Sequence, residues 1–134
     1  PKIQDGRSAM ELNPLVPPGR QLIQAYGGHG FRIAGVSYEG SVLVFPDRTL
    51  SLRFDSVSEL SEEHLAEVLA GATAVDILLV GCGVKSEPVA SGLRTRLSEA
   101  GVVIEAMSTG AACRTFNVLL AEDRRAAAAL IPVP

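Results

Sequence analysis

Few residues in this chain have a chemical repertoire, and the first group is Gly81-Cys82-Gly83, which follows an apolar run and precedes a helical one. A thiol there could act as a nucleophile if a helix N-terminus or a neighbouring base lowered its pKa. The only histidines are His29, inside the turn Gly27-Gly28-His29-Gly30, and His64, on a helical stretch, and neither is placed beside Cys82. A metal centre finds no support, because no Cys, His, Asp or Glu companions stand at ligand spacing. Glycines at a strand-to-helix junction could also let backbone amides cradle an anion. The stretch departs from the dinucleotide fingerprint, with Ser86 where the third glycine belongs, and Lys85-Ser86 lacks the glycines of a Walker A loop. A tight turn is the simpler account.

A second group follows in Ser108-Thr109-Gly110-Ala111-Ala112-Cys113-Arg114-Thr115-Phe116-Asn117, which packs Gly and Ala into a first helical turn and then sets Arg114 and Asn117 among apolar residues. Residues three apart share a helix face, so Arg114 and Asn117 could hold an anion or clamp a neighbouring loop. The candidate ligand pocket therefore comprises Gly81, Cys82, Gly83, Ser108, Thr109, Arg114 and Asn117. No GxSxG elbow, HExxH motif or spaced acidic cluster is present. No catalytic residue, cofactor or metal is assigned, and a non-enzyme is the favoured expectation. Cys82 and Cys113 sit in no CxxC and read as buried, reduced thiols.

The elements that would position these groups follow from periodicity. Residues 1–20, with four prolines and two glycines, read as an irregular N-terminal arm, and 21–134 as a single α/β domain. Short alternating runs at Leu22–Tyr26, Phe31–Ile33, Ser41–Phe45 and Leu50–Phe54 predict strands joined as hairpins, with Tyr38-Glu39-Gly40 among the turns. A helix is expected after Asp55, capped at Ser58 or Ser61, carrying Leu65, Val68 and Leu69 on its apolar stripe and ended by Gly71. Val75–Gly81 is almost wholly apolar and predicts a strand buried on both faces. A second helix is expected from Ser86-Glu87-Pro88 to Gly101, a strand at Val102–Met107, a third helix from Ser108 or Thr109 to about Arg124, and a last strand of small residues from Ala126. Hairpins followed by α-β-α-β-α-β predict a parallel or mixed sheet with helices packed on it.

The 134 residues are 47% hydrophobic and 20% charged, with a net charge of −3, which suits one globular core and supplies no field to attract phosphate backbones. Nucleic acid is not an expected partner. No apolar run approaches the roughly 20 residues of a membrane span, and no secretory signal is recognisable, so a cytoplasmic location is expected.

The segment Thr109 to Asn117, with Phe31-Arg32-Ile33-Ala34-Gly35 and Ser41-Val42-Leu43-Val44-Phe45-Pro46, resembles the domain of unknown function 498 family over roughly residues 20–131. That resemblance implies a three-layer β/β/α domain with mixed sheets and no known catalytic residue or cofactor. Where many members of that family have Gly-Thr-Gly, this chain has Gly81-Cys82-Gly83, which weakens any mechanism that needs a hydroxyl or a thiol there. The family's eukaryotic branch includes mitochondrial complex I assembly factor 3. The resemblance thus implies protein partners among the components that assemble a respiratory membrane complex. With no targeting presequence recognisable, a bacterial origin is expected. The competing expectation is a small-molecule (anion) binder or weak enzyme using the Gly81 loop and Arg114. An exposed β-edge of the N-terminal hairpins could also pair two copies as a homodimer.

Overall fold

The computed structural model describes residues 19–71 and 73–134, so the arm expected at 1–20 lies, up to residue 18, outside the described residues. In chain order the elements are β1 (Ile23–Gly27), β2 (Gly30–Ile33), β3 (Val36–Glu39), β4 (Val42–Val44), β5 (Thr49–Ser51), α1 (Ala66–Leu69), β6 (Ile77–Gly81), α2 (Ser91–Glu99), β7 (Val103–Met107), α3 (Thr109–Ala121) and β8 (Ala126–Leu130). Five strands form the main sheet in the order β5-β4-β8-β6-β7, and β1-β2-β3 form a separate sheet. The last strand to emerge from the chain is therefore the middle of the main sheet. All five of its residues are buried, as a strand covered on both faces requires.

The main sheet is mixed. β6 lies between β8 and β7 and runs parallel to both, with Gly81 opposite Leu130 on one side and Met107 on the other. β4 runs antiparallel to β8 and to β5. The small sheet is antiparallel throughout.

Strand alternation divides the interior into two cores. Leu43, Leu78, Val80, Ala127 and Ala129 face one way and pack with Val68, Leu93 and Leu97 of the helices on that side. Val42, Val44, Leu79, Ala128 and Leu130 face the other way and meet Phe116 and Leu120 of α3 together with Ile23, Phe31 and Ile33 of the small sheet. The result is three layers: α1 and α2, the five-stranded sheet, and the small sheet with α3 beside it. This is the three-layer β/β/α arrangement that the resemblance implies.

Four local expectations change. Tyr38 and Glu39 belong to β3 and not to a turn; the reversal is at Ala34-Gly35, where both φ angles are positive (50° and 82°), as a two-residue hairpin demands. Alanine rarely adopts that conformation, which hid the hairpin from sequence patterning. The strand expected to reach Phe54 stops at Ser51, after which the chain bends so that Phe54 enters the core and its carbonyl accepts from Ser41 Oγ at 2.6 Å. The single helix expected after Asp55 is a 3-10 turn at Val57–Glu59 followed by the short α1, and neither Ser58 nor Ser61 caps it. Pro88 precedes α2, which begins at Ser91; Ser86 Oγ instead donates to Ala106 O of β7 at 3.4 Å.

Candidate functional site

Gly81 ends β6 beneath the first turn of α3. A Cβ there would lie 2.9 Å from Leu130 Cδ2 and 3.0 Å from Thr109 Cα, closer than carbon atoms pack, so only glycine lets the helix settle on β6 and β8. That approach brings Thr109 to the ends of both strands. Its hydroxyl donates to Ile131 O at 2.6 Å and accepts from Gly83 N at 2.9 Å, while Thr109 N donates to Gly83 O at 2.8 Å. Ile131 N closes the ring by donating to Gly81 O at 2.9 Å. Thr109 is fully buried, and this clasp satisfies backbone groups that the strand ends would otherwise leave unpaired.

Ser108 caps α3 by accepting from Ala111 N at 3.3 Å. The amides of Thr109 and Ala111 are thus engaged within the chain, although they are the donors an anion at this helix start would use. Cys82 N donates to Met107 O, and its buried thiol lies 3.5 Å from both Val80 O and Glu87 O. Cys113 is buried in the second core, and burial pushes its thiol up to about 12 despite the opposing pull of the Arg114 guanidinium. It stays protonated at physiological pH and is not a nucleophile.

Arg114 and Asn117 turn toward the small sheet. Asn117 receives Ile23 N on Oδ1 at 2.9 Å and donates from Nδ2 to Ile23 O at 2.8 Å, so its amide stands in for a neighbouring strand along the outer edge of β1. Arg114 donates from one terminal nitrogen to the Tyr26 hydroxyl at 3.3 Å. The structure therefore divides the seven candidate residues between two places. Gly81, Cys82, Gly83, Ser108 and Thr109 gather at the strand ends; Arg114 and Asn117 address β1. Of the two uses open to Asn117, an anion site and a clamp, the amide is used as a clamp, on a strand.

Sequence reasoning missed Tyr26, Gly110 and the carbonyl of Ile131. A Cβ on Gly110 would fall 2.6 Å from the Tyr26 hydroxyl, so the glycine admits the tyrosine ring onto the helix. The Gly-Ala composition of that turn was the available signal, but not what would lie against it. His64 is engaged away from this region: Nδ1 accepts from Ser61 N at 3.1 Å, Nε2 faces Arg53 O at 3.3 Å, and the ring lies 4.9 Å from that of Phe54. Among the described residues no three His, Cys, Asp or Glu side chains cluster to hold a metal, and no helix is long and apolar enough to cross a membrane.

The model of the family described as "Protein of unknown function (DUF498/DUF598)" matches residues 23–131. An uncharacterised protein of Rhodobacter capsulatus is 40% identical over 117 residues, covering 87% of this chain and 88% of its own length. NADH dehydrogenase [ubiquinone] 1 alpha subcomplex assembly factor 3 of Danio rerio is 34% identical over 113 residues, which are 84% of this chain but 65% of the zebrafish protein. A crystal structure of a protein described as an outer membrane protein of Bartonella henselae superposes with a TM-score of 0.80 at 41% identity, over 87% of this chain and 98% of that one. The matched span runs from β1 to the Ile131 carbonyl and so takes in the clasp, the Asn117 clamp and both sheets: the chain belongs to the DUF498/DUF598 family and is related to the complex I assembly factors.

Proposed function

We propose that this chain is a non-catalytic protein-interaction domain that assists the assembly of a respiratory membrane complex, acting from the cytoplasm. The observation that carries this reading is the 34% identity to the zebrafish assembly factor across 84% of the chain. The employment of the polar residues agrees with it. Thr109, Ser108 and Asn117, the groups best suited to chemistry in the α3 segment, all bind backbone within the chain. Side chains used in that way serve the scaffold, and recognition is left to the outer surface.

The test is affinity purification of the tagged chain from its native cells in mild detergent, with mass-spectrometric identification of what accompanies it. Respiratory-complex subunits or assembly proteins are the expected company. Recovery of the chain alone, or with only soluble metabolic enzymes, would overturn the proposal.

A further inference from the structure

The outer face of α3 differs from that of a helix meant for water. The whole chain is 20% charged, yet α3 has a single charge, Arg114, in 13 residues. α2, which also lies on the main sheet, has Arg94, Arg96 and Glu99 within nine. A solvated helix normally places its charges on the face opposite the core. α3 instead presents Arg114 and Val118, four residues apart on one ridge, with the small residues Gly110, Ala111 and Thr115 beside them. Val118 is 56% exposed, and Tyr26, laid over Gly110, is 42% exposed.

Arg114 sits in the middle of this neutral strip. Its hydrogen bond to the Tyr26 hydroxyl is long, and among the described residues no carboxylate lies within ion-pair distance of it, as is also true of Arg32, Arg53 and Arg94. Tyr and Arg are among the residue types that carry binding energy at protein interfaces. Small residues next to a ridge allow a second helix to approach to about 8–10 Å between axes.

We infer that the ridge of Arg114 and Val118, flanked by Tyr26, docks an amphipathic helix of a partner protein that brings an Asp or Glu carboxylate to the Arg114 guanidinium. The argument for that occupant is charge complementarity: a guanidinium without a carboxylate partner among the described residues, the single charge of its helix, is completed by a carboxylate. This inference rests on the interaction reading above and names the surface and partner chemistry it would use.

A photo-crosslinking amino acid placed at Val118, and at the exposed Ser98 of α2 as control, would be activated in the full chain in its native cells. The Val118 crosslink is expected to map to a helical segment of a second protein containing Asp or Glu, with Ser98 giving no such product. R114E is expected to reduce recovery of that protein about tenfold or more, the loss typical of a central interface residue, and an acidic-to-Arg change at the crosslinked segment should restore it. Both positions are exposed, so R114E should unfold thermally like the parent. Equal crosslinking from Ser98, a crosslink only to this chain itself, or undiminished recovery with R114E would overturn the inference. If partners still accompany R114E, the interaction reading stands and this face is not its surface. If the parent chain recovers no partner, both fall together.

Discussion

Thr109 joins three elements through one hydroxyl, linking the loop after β6, the chain just beyond β8 and the start of α3. Replacing it with valine keeps the shape and removes both hydrogen bonds, leaving a half-buried N–H at Gly83 and a buried C=O at Ile131 without partners. Each such group costs about 1–3 kcal/mol, so T109V should lose roughly 2–4 kcal/mol in urea denaturation, while T109S, which keeps the hydroxyl, should lose about 1 kcal/mol or less. Similar losses for the two would show that the methyl and not the clasp matters. Cys113 makes a different prediction. Its thiol is raised by burial from 9.0 to about 12, so above pH 9 the unfolded chain releases this proton and the folded chain keeps it. With fewer protons bound to the unfolded state, stability falls as pH rises. The contribution is intact below pH 9 and lost progressively between about 9 and 12, with a slope of up to about 1.4 kcal/mol per pH unit. C113A should show a shallower alkaline decline than the parent in denaturation series; identical slopes would contradict the assignment.

Between elements, the decisive connection is Asn117 of α3 to Ile23 of β1, residues 94 positions apart. Aspartate at 117 would keep the acceptor for Ile23 N but set a carboxylate oxygen against Ile23 O. N117D is therefore expected to be destabilised by about 2–3 kcal/mol and to speed hydrogen exchange at Ile23 more than at Leu79 of the main sheet. Uniform acceleration would mean that the clamp is part of global stability and does not hold β1 specifically. The elements themselves were unevenly legible. α3 announces its start by Ser108 and its buried stripe by Ala112, Phe116 and Leu120, and the run ending at Gly81 reads as an interior strand without ambiguity. β3 was hidden, because Ala34 takes a backbone conformation that glycine or asparagine would have advertised. The stripe of Leu65, Val68 and Leu69 was mistaken for a full helix: those side chains do pack inward, but a 3-10 turn and a few helical residues suffice to deliver them.

For the molecule as a whole, burial on both faces should order local stability. The backbone of β8 lies between two strands and two cores, so the amides of Ala127 to Ala129 are expected to exchange with water slowest, near the limit set by global unfolding. In the small sheet, Gly40 N donates to His29 O, and the register from that bond turns the amides of Ser37 and Glu39 away from β2 toward the open edge of β3. Those two amides should exchange orders of magnitude faster in NMR hydrogen exchange, and marked protection at both would indicate that β3 pairs with another strand, as in a homodimer. At the β7 edge of the main sheet, Arg94 and Ser86 donate to the outward carbonyls of Ile104 and Ala106.

Periodicity and turn residues along the chain were sufficient for the alternation of strands and helices from Val75 onward and for the family resemblance carried by Thr109 to Asn117, but not for β3 or the short α1. They also drew attention to the polar residues that matter. What those residues bind was decided only when the chain closed on itself. A period of 2 or 3.6 tells which face of an element is buried but not what lies across from it. The last strand enters the centre of the sheet, so the ends of β6 and β8 meet at α3 and need polar partners there. Thr109 supplies them, 26 residues from Gly83 and 22 from Ile131. The same closure set Asn117 and Arg114 against β1 and away from the Gly81 loop, because the small sheet covers the remaining half of the second core and brings Ile23 and Tyr26 to that side of the helix.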